Sequence, residues 1–469
     1  MPLGSVFLAF IVTVPIPPKP SSTREIVSPK RLVPARWIDP IYSLLSGQGA
    51  REGYLAAIDQ GVISASNFLA TIILARNVTP TELGVFGVGF IALRLVRSFQ
   101  EGLVVQPINV FGAGMDERSF RRYVTSSTIL QISLAAATSL AAALGGWLLT
   151  VTGNDTAGPA LFALWFTFLW WQLQEHIRRI LYTRGKVFSA VINTILANIF
   201  RLALMLWWAP QGKLSGIRGL DAIAWGSLAA IIPGIWATRS FWSIDFLSLK
   251  ETWRRNWGLG RWLLGGSLAN WVAVEFYPIL TAGMISFAAA GAYRALQNLV
   301  APIHLLLRAT DTFLTPRAAR LYEQNGRHAL ARTLRIIYMV SGIPILGVLV
   351  IAMLFPTPLL RLLYGETYLP YSGSMVLMAL FYALLYAYYP LQTAFKAARL
   401  TRPIFLANMA AIAAMFTVGI WAILRWGVAG TIAGQALNAL IVSLVLWGTW
   451  VRRISDQGAV TKIGDRGAG

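Results

Sequence analysis

The chain contains no cysteine among its 469 residues, which rules out disulfides, a thiol nucleophile and any thiolate-bound metal. Histidine is nearly absent too: His176, His304 and His328 are scattered, without the spacing of a metal site. Charged residues make up only 13%, and acids are the scarcer sign, with 19 Asp and Glu against 40 Lys and Arg. No Gly-x-Ser-x-Gly, phosphate-binding loop, paired carboxylates beside a histidine or Asp-rich metal motif occurs. The chain therefore reads as a non-enzyme, with no metal and no cofactor. What it has in abundance is apolar length, since 56% of residues are hydrophobic and the mean hydropathy is +0.60. Long hydrophobic runs in that number describe a polytopic all-α membrane protein.

About twelve spans are expected, near Tyr54–Ala75, Leu83–Phe111, Tyr123–Val151, Pro159–Leu181, Phe188–Ala209, Leu220–Phe241, Trp262–Ile285, Ala290–Leu314, Ile336–Pro356, Ser372–Phe395, Ile404–Leu424 and Val428–Val451. The loops between them are too short to hold a catalytic domain. Residues 1–53 read as a basic cytoplasmic segment, 54–241 as one six-helix lobe, 242–261 as a linker, 262–451 as a second six-helix lobe and 452–469 as a tail. The loop cations set the orientation. With both termini inside, the outer loops hold only Arg76, Lys213, Arg218, Arg361 and Arg425 of the forty Lys and Arg. The net charge of +21 then faces anionic inner-leaflet lipids, and no nucleic-acid partner is needed to explain it.

A few charges stay within the spans. Arg94, Arg97 and Glu101 lie on one face of the second span, because steps of three and seven residues return to the same side of a helix. Arg201 and Glu275 fall midway along theirs, and Arg294, Arg308 and Asp311 share a polar face on the eighth, with Gln297, Asn298 and His304. A charge near the bilayer centre costs about 3 kcal/mol, so these faces must meet a partner helix or a watery cavity. Arg97–Glu101 and Arg308–Asp311 have the spacing of internal pairs, whereas Arg94 and Arg201 have no acid at helical spacing. Glu275 is left open between an ion-coupling site and the counter-ion of Arg94 or Arg201. Asp59 and Glu175, near inner ends, read as interfacial, and Gly430-x-x-x-Gly434 as a packing seam.

The chain also repeats. Gly84-Val-Phe-Gly opens the second span and Gly291-Ala-Tyr-Arg the eighth, and each span ends at a proline, Pro107 or Pro316, before a basic stretch. An even number of spans separates the copies, so the repeat is parallel, with its pseudo-two-fold axis along the membrane normal. Two six-helix lobes around a central cavity follow.

Asp59-Gln-Gly, Ser66-Asn67-Phe68-Leu69, Leu74-Ala75-Arg76, Thr79-Pro80 and Leu83-Gly84-Val-Phe-Gly together resemble the opening of O-antigen and exopolysaccharide flippases. These belong to the multidrug/oligosaccharidyl-lipid/polysaccharide exporter superfamily. Pro316-Arg317-Ala-Ala-Arg-Leu-Tyr322, Leu360-Arg-Leu-Leu-Tyr-Gly-Glu366 and Gly427-Val-Ala-Gly-Thr-Ile-Ala-Gly434 extend the resemblance over residues 54–453. It implies a V-shaped two-lobe protein of the bacterial inner membrane. Such a protein moves undecaprenyl-diphosphate-linked oligosaccharide outward by alternating access, beside other polysaccharide assembly proteins. Arg94, Arg97, Arg201, Arg294 and Arg308 fit the role of substrate-binding cavity cations, with Glu275, Glu101 and Asp311 as counter-ions or sites of coupling to a proton or sodium gradient. The alternatives are a cation-coupled drug antiporter of the same fold and a membrane-embedded polymerase or glycosyltransferase. A cavity rich in Arg repels cationic drugs, and the loops offer no catalytic motif.

Overall fold

The computed structural model describes residues 48–245, 247–398 and 400–464, apart from the side chains of 48–50, 52, 305, 308–329, 333, 336, 340, 397, 401 and 453–464. The expected basic segment before residue 48 lies outside the described residues. The described residues from 52 onward form one compact unit. Among the described residues all regular structure is helical, and seven helices are long and apolar enough to cross a membrane, or eight when one bent pair counts as a span.

The first half runs α1 (Gln48–Asn77), α2 (Pro80–Gln100), α3 (Gln106–Gly112), α4 (Glu117–Val151), α5 (Ala157–Thr183), α6 (Val187–Trp208) and α7 (Gly216–Thr238). The second runs α8 (Leu249–Glu275), α9 (Tyr277–Met284), α10 (Phe287–Leu299), α11 (Pro302–Leu354), α12 (Pro356–Tyr364), α13 (Ser374–Ala397), α14 (Thr401–Ala414) and α15 (Ile420–Gly464). Starts carry their capping signals. Thr79 accepts from the Glu82 N–H with Pro80 in the first turn, Asp116 accepts from the Arg118 and Ser119 N–H groups, and Ser215 and Ser286 cap α7 and α10.

Prolines shape the interior of the spans. Pro107 cannot donate to the carbonyl four residues back, and the chain widens into a π turn at Glu101–Val105. The carbonyl freed at Leu103 accepts instead from Asn256 Nδ2 of α8 at 3.1 Å. Pro278 acts likewise between α8 and α9, which meet at 52°; Val274, four residues earlier, gives its carbonyl to Gln435 Nε2 at 3.3 Å. Inside α7, beside Pro233, the Ala230 carbonyl accepts from Asn193 Nδ2 at 2.6 Å. At Pro107 and Pro278 the freed carbonyl is thus paired by a side chain from a neighbouring helix, as burial in an apolar medium requires.

The two halves meet reciprocally through α2 and α10. A Cβ built on Gly84 would lie 1.8 Å from the Phe287 carbonyl oxygen, and one on Gly291 would lie 2.0 Å from that of Pro80. One sequence offset relates Pro80 to Phe287 and Gly84 to Gly291, so the contact is self-complementary, as a two-fold axis demands. At that offset Arg97 corresponds to His304, not to Arg308 as the motif spacing alone had it. The same end carries a second tie: Arg76 donates to the carbonyls of Leu362 and, at 2.7 Å, Leu363 at the end of α12.

Two expectations change. The basic stretch from Pro316 to Arg335, read as a loop, is helical backbone within α11. Its many Ala, Leu and Arg residues are strong helix formers, and they outweigh one proline. Arg178, counted among inner-loop cations, is 5% exposed inside α5. The seam at Gly430-x-x-x-Gly434 is present. Gly427 turns the chain with φ +55, Gly430 sits against the Ala422 carbonyl, and the Tyr277 ring lies against Gly419 and Gly434.

Candidate functional site

Four of the expected residues converge where α2, α8, α10 and α6 approach one another. Arg94 of α2 donates to Glu275, the last residue of α8 before the Pro278 break. This identifies Glu275 as the counter-ion of Arg94 across the two halves, a pairing that no helical spacing could reveal. Arg294 of α10 stands within electrostatic reach of Arg94, Glu275 and Arg201, and its carbon stem packs beside Gly87 of α2, 3.4 Å from where a Cβ on that glycine would sit.

A hydrogen-bond chain holds Arg294. It donates to Gln297 Oε1 at 3.1 Å, Gln297 donates to the Tyr293 hydroxyl at 3.1 Å, and that hydroxyl donates to Gln435 Oε1 at 2.7 Å. Gln435 in turn reaches the Val274 carbonyl beside Glu275. The Phe90 ring lies 5.0 Å from the Arg294 guanidinium and 5.9 Å from that of Arg94, an arrangement that favours cations.

Arg201 is the most deeply placed of the set, 5% exposed. Its Nη1 donates to Asn67 Oδ1 at 2.8 Å, while Nε and Nη2 are buried with no acceptor among the described residues. An unpaired buried guanidinium is costly, and Arg201 meets no carboxylate there. Among the described residues, Arg94 and Arg294 therefore face one carboxylate, Glu275, while Arg201 stands beside Arg294 with none.

Arg97 departs from its expected partner. Its ion pair is to Glu175 of α5 at 3.6 Å, and Glu101 instead accepts from Gln106 at 2.8 Å. The backbone keeps Glu101 one α turn beyond Arg97, its N–H reaching the Arg97 carbonyl, so the pairing gives way to the competing partners Glu175 and Gln106. Arg308 and Asp311 lie outside the described side chains.

Glu175 belongs to a buried cluster that the sequence reading assigned to the interface. Asp59 and Glu175 are each 4% exposed. Arg178 bridges them, donating to Asp59 and, at 2.8 Å and 2.9 Å, to both oxygens of Glu175. Arg179 adds a bond at 3.0 Å, and the Tyr182 hydroxyl donates to Asp59 at 2.8 Å. The signal was present: Glu175, Arg178 and Arg179 stand at i, i+3 and i+4. What the sequence could not supply was Asp59, more than a hundred positions away.

Comparisons with known proteins bear on this geometry. No curated protein matches. Among solved structures, a multidrug resistance MATE family transporter of the MOP superfamily, in an inward-facing conformation, is similar with a TM-score of 0.69 and 15% identity, over 85% of this chain and 95% of that one. A MOP superfamily transporter from Pyrococcus furiosus, reported with a binding pocket of reversed polarity, gives a TM-score of 0.62 at 15% identity over 88% and 97%. The lipid II flippase MurJ, in an inward closed conformation, gives 0.63 at 14% identity over 82% and 85%. The fold is therefore the two-lobe architecture of these multi-pass transporters. A family profile described as polysaccharide biosynthesis protein matches residues 73–373, well over half of the chain, and the protein belongs to that family.

Proposed function

We propose that the protein is a flippase that carries an undecaprenyl-diphosphate-linked oligosaccharide from the inner to the outer leaflet of a bacterial cytoplasmic membrane, with both termini inside. The observation that supports this most is the grouping of Arg94, Arg294 and Arg201, where the one carboxylate among the described residues is Glu275, paired to Arg94. Two net positive charges in a low-dielectric site suit a diphosphate, and Arg offers the planar paired donors that phosphate oxygens accept. A cationic drug would meet repulsion there, so a drug antiporter is the weaker reading. A polymerase would need acids that the site lacks.

The Arg94–Glu275 pair gives the binding event a mechanical consequence. It ties α2 to α8, and a diphosphate reaching Arg94 competes with Glu275 for the guanidinium. Release of that tie loosens one lobe from the other, as alternating access requires. The freed Glu275 carboxylate is then the group able to take a proton or sodium ion from the gradient.

The test is Arg201→Ala and Arg201→Lys in cells that depend on the protein, scored for abundance and for lipid-linked glycan on the inner leaflet. Both variants insert normally, since Ala removes an intramembrane charge, lowering the insertion cost by about 3 kcal/mol, and Lys leaves the charge unchanged. Both accumulate the lipid-linked glycan, and Lys fails to rescue because it lacks the fork. Reduced abundance with normal transport per molecule rejects the ligand role.

A further inference from the structure

The connections that follow α3, α5 and α7 enclose a recess of about 350 Å³, lined by Glu117, Phe120, Arg121, Arg184, Lys186, Ser240 and Phe241. Two of its cations are held in place. The Arg184 guanidinium lies 3.7 Å from the centre of the buried Phe120 ring, and its Nη2 donates to the Met115 carbonyl at 3.2 Å and the Asp116 carbonyl at 3.5 Å. The Lys186 ammonium sits 4.5 Å from the Phe241 ring and donates to the Ala237 carbonyl at 3.4 Å. The two rings pack edge to face with centroids 5.7 Å apart. Gly185, at φ +67, makes the tight turn that sets both cations side by side.

Neither Arg184 nor Lys186 has a carboxylate partner among the described residues. Arg121 has only a loose pair with Glu117 at 3.6 Å, and the Glu117 side chain is 87% exposed. The carboxylate of Asp116 is taken up in capping α4, and Asp245 pairs with Arg122 at 3.2 Å. Helix α6 begins beside the recess at Val187 without a side-chain cap, so its positive end adds to the field. Fixed, uncompensated cations over aromatic rings in a concave site are an anion receptor held ready.

The surroundings select the anion. Ile232, Ile235 and Trp236 of α7, together with Ile244, are more than half exposed beside Ser240 and Phe241, and Phe188 at the start of α6 is exposed as well. Exposed apolar residues on the helices that border a basic recess match a molecule with acyl chains and an anionic head. We infer that this recess is a specific site for the phosphate headgroup of an anionic phospholipid whose chains lie along α6 and α7. The site lies apart from the Arg94–Glu275 cluster, and its existence does not depend on the flippase reading.

The full chain, delipidated in detergent, is titrated with dioleoyl-phosphatidylglycerol, dioleoyl-phosphatidylcholine and inorganic phosphate, with bound lipid counted by native mass spectrometry. One phosphatidylglycerol should bind in clear preference to phosphatidylcholine. Lys186→Glu should weaken that lipid by about tenfold, as expected for losing a charge-assisted contact, while Lys250→Glu, on an exposed residue elsewhere, leaves it unchanged. Arg184→Ala should act in the same direction, and Lys186→Gln keeps the readout should that variant disturb the turn. Equal binding of phosphatidylcholine, or no effect from any variant at 184 and 186, overturns the site. Displacement of the lipid by inorganic phosphate at comparable concentration overturns the lipid assignment in favour of a soluble phosphate compound.

Discussion

Arg94 and Glu275 illustrate what a single residue contributes here. Each alone is a charge in an apolar span; together they form an ion pair between two halves of the molecule. The pair is only part-buried, so removing one partner costs less than it would for a fully buried pair, and removing both costs less still. Glu275→Gln and Arg94→Ala should therefore each lower the melting temperature of the detergent-solubilised protein, and the double variant should recover most of the loss. Additive losses in the double variant would show that the two side chains do not depend on one another. Arg178, which bridges Asp59 and Glu175, is under stricter demand, because its loss strands two buried acids. Arg178→Ala should abolish accumulation of folded protein, measured as a monodisperse peak on size exclusion.

Among the elements, α2 and α10 set the terms. They approach so closely at Gly84 and Gly291 that a single added methyl group would collide with backbone carbonyls at 1.8 Å and 2.0 Å. Backbone cannot yield as a flexible side chain can, so Gly291→Ala should push the two helices apart at that end. The expected readout is faster thiol labelling of a cysteine placed at Ala290, measured against the same cysteine beside the native glycine; unchanged labelling would mean that the contact is slack. The same logic explains why prolines here are not defects. Pro107 and Pro278 each remove a backbone hydrogen bond, and Leu103 and Val274 find donors in Asn256 and Gln435.

For the whole molecule, the reciprocal contact predicts a cross-link. A Cβ on Gly87 would stand 3.5 Å from that of Arg294, within the range of a disulfide, and the chain has no native cysteine to compete. Gly87→Cys combined with Arg294→Cys should form an intramolecular bond on mild oxidation, read as a mobility shift reversed by reductant. Failure to form it would mean that the lobes rest apart at this end. Phe86 and Tyr293, one step away, make poor probes because each faces its own lobe, toward Arg201 and Gln435 respectively. The sequence by itself determined the all-helical membrane fold, the two-lobe repeat and several of the charges held inside it, Arg94, Arg201 and Glu275 among them. Those follow from hydropathy, the parity of the spans and the cost of burying charge, all of which are local or additive along the chain. Only the tertiary structure decided the partners: Glu275 for Arg94, Glu175 for Arg97, Asp59 for Arg178. Ion pairs between helices depend on which faces meet after packing, and neither helical periodicity nor separation along the chain encodes that.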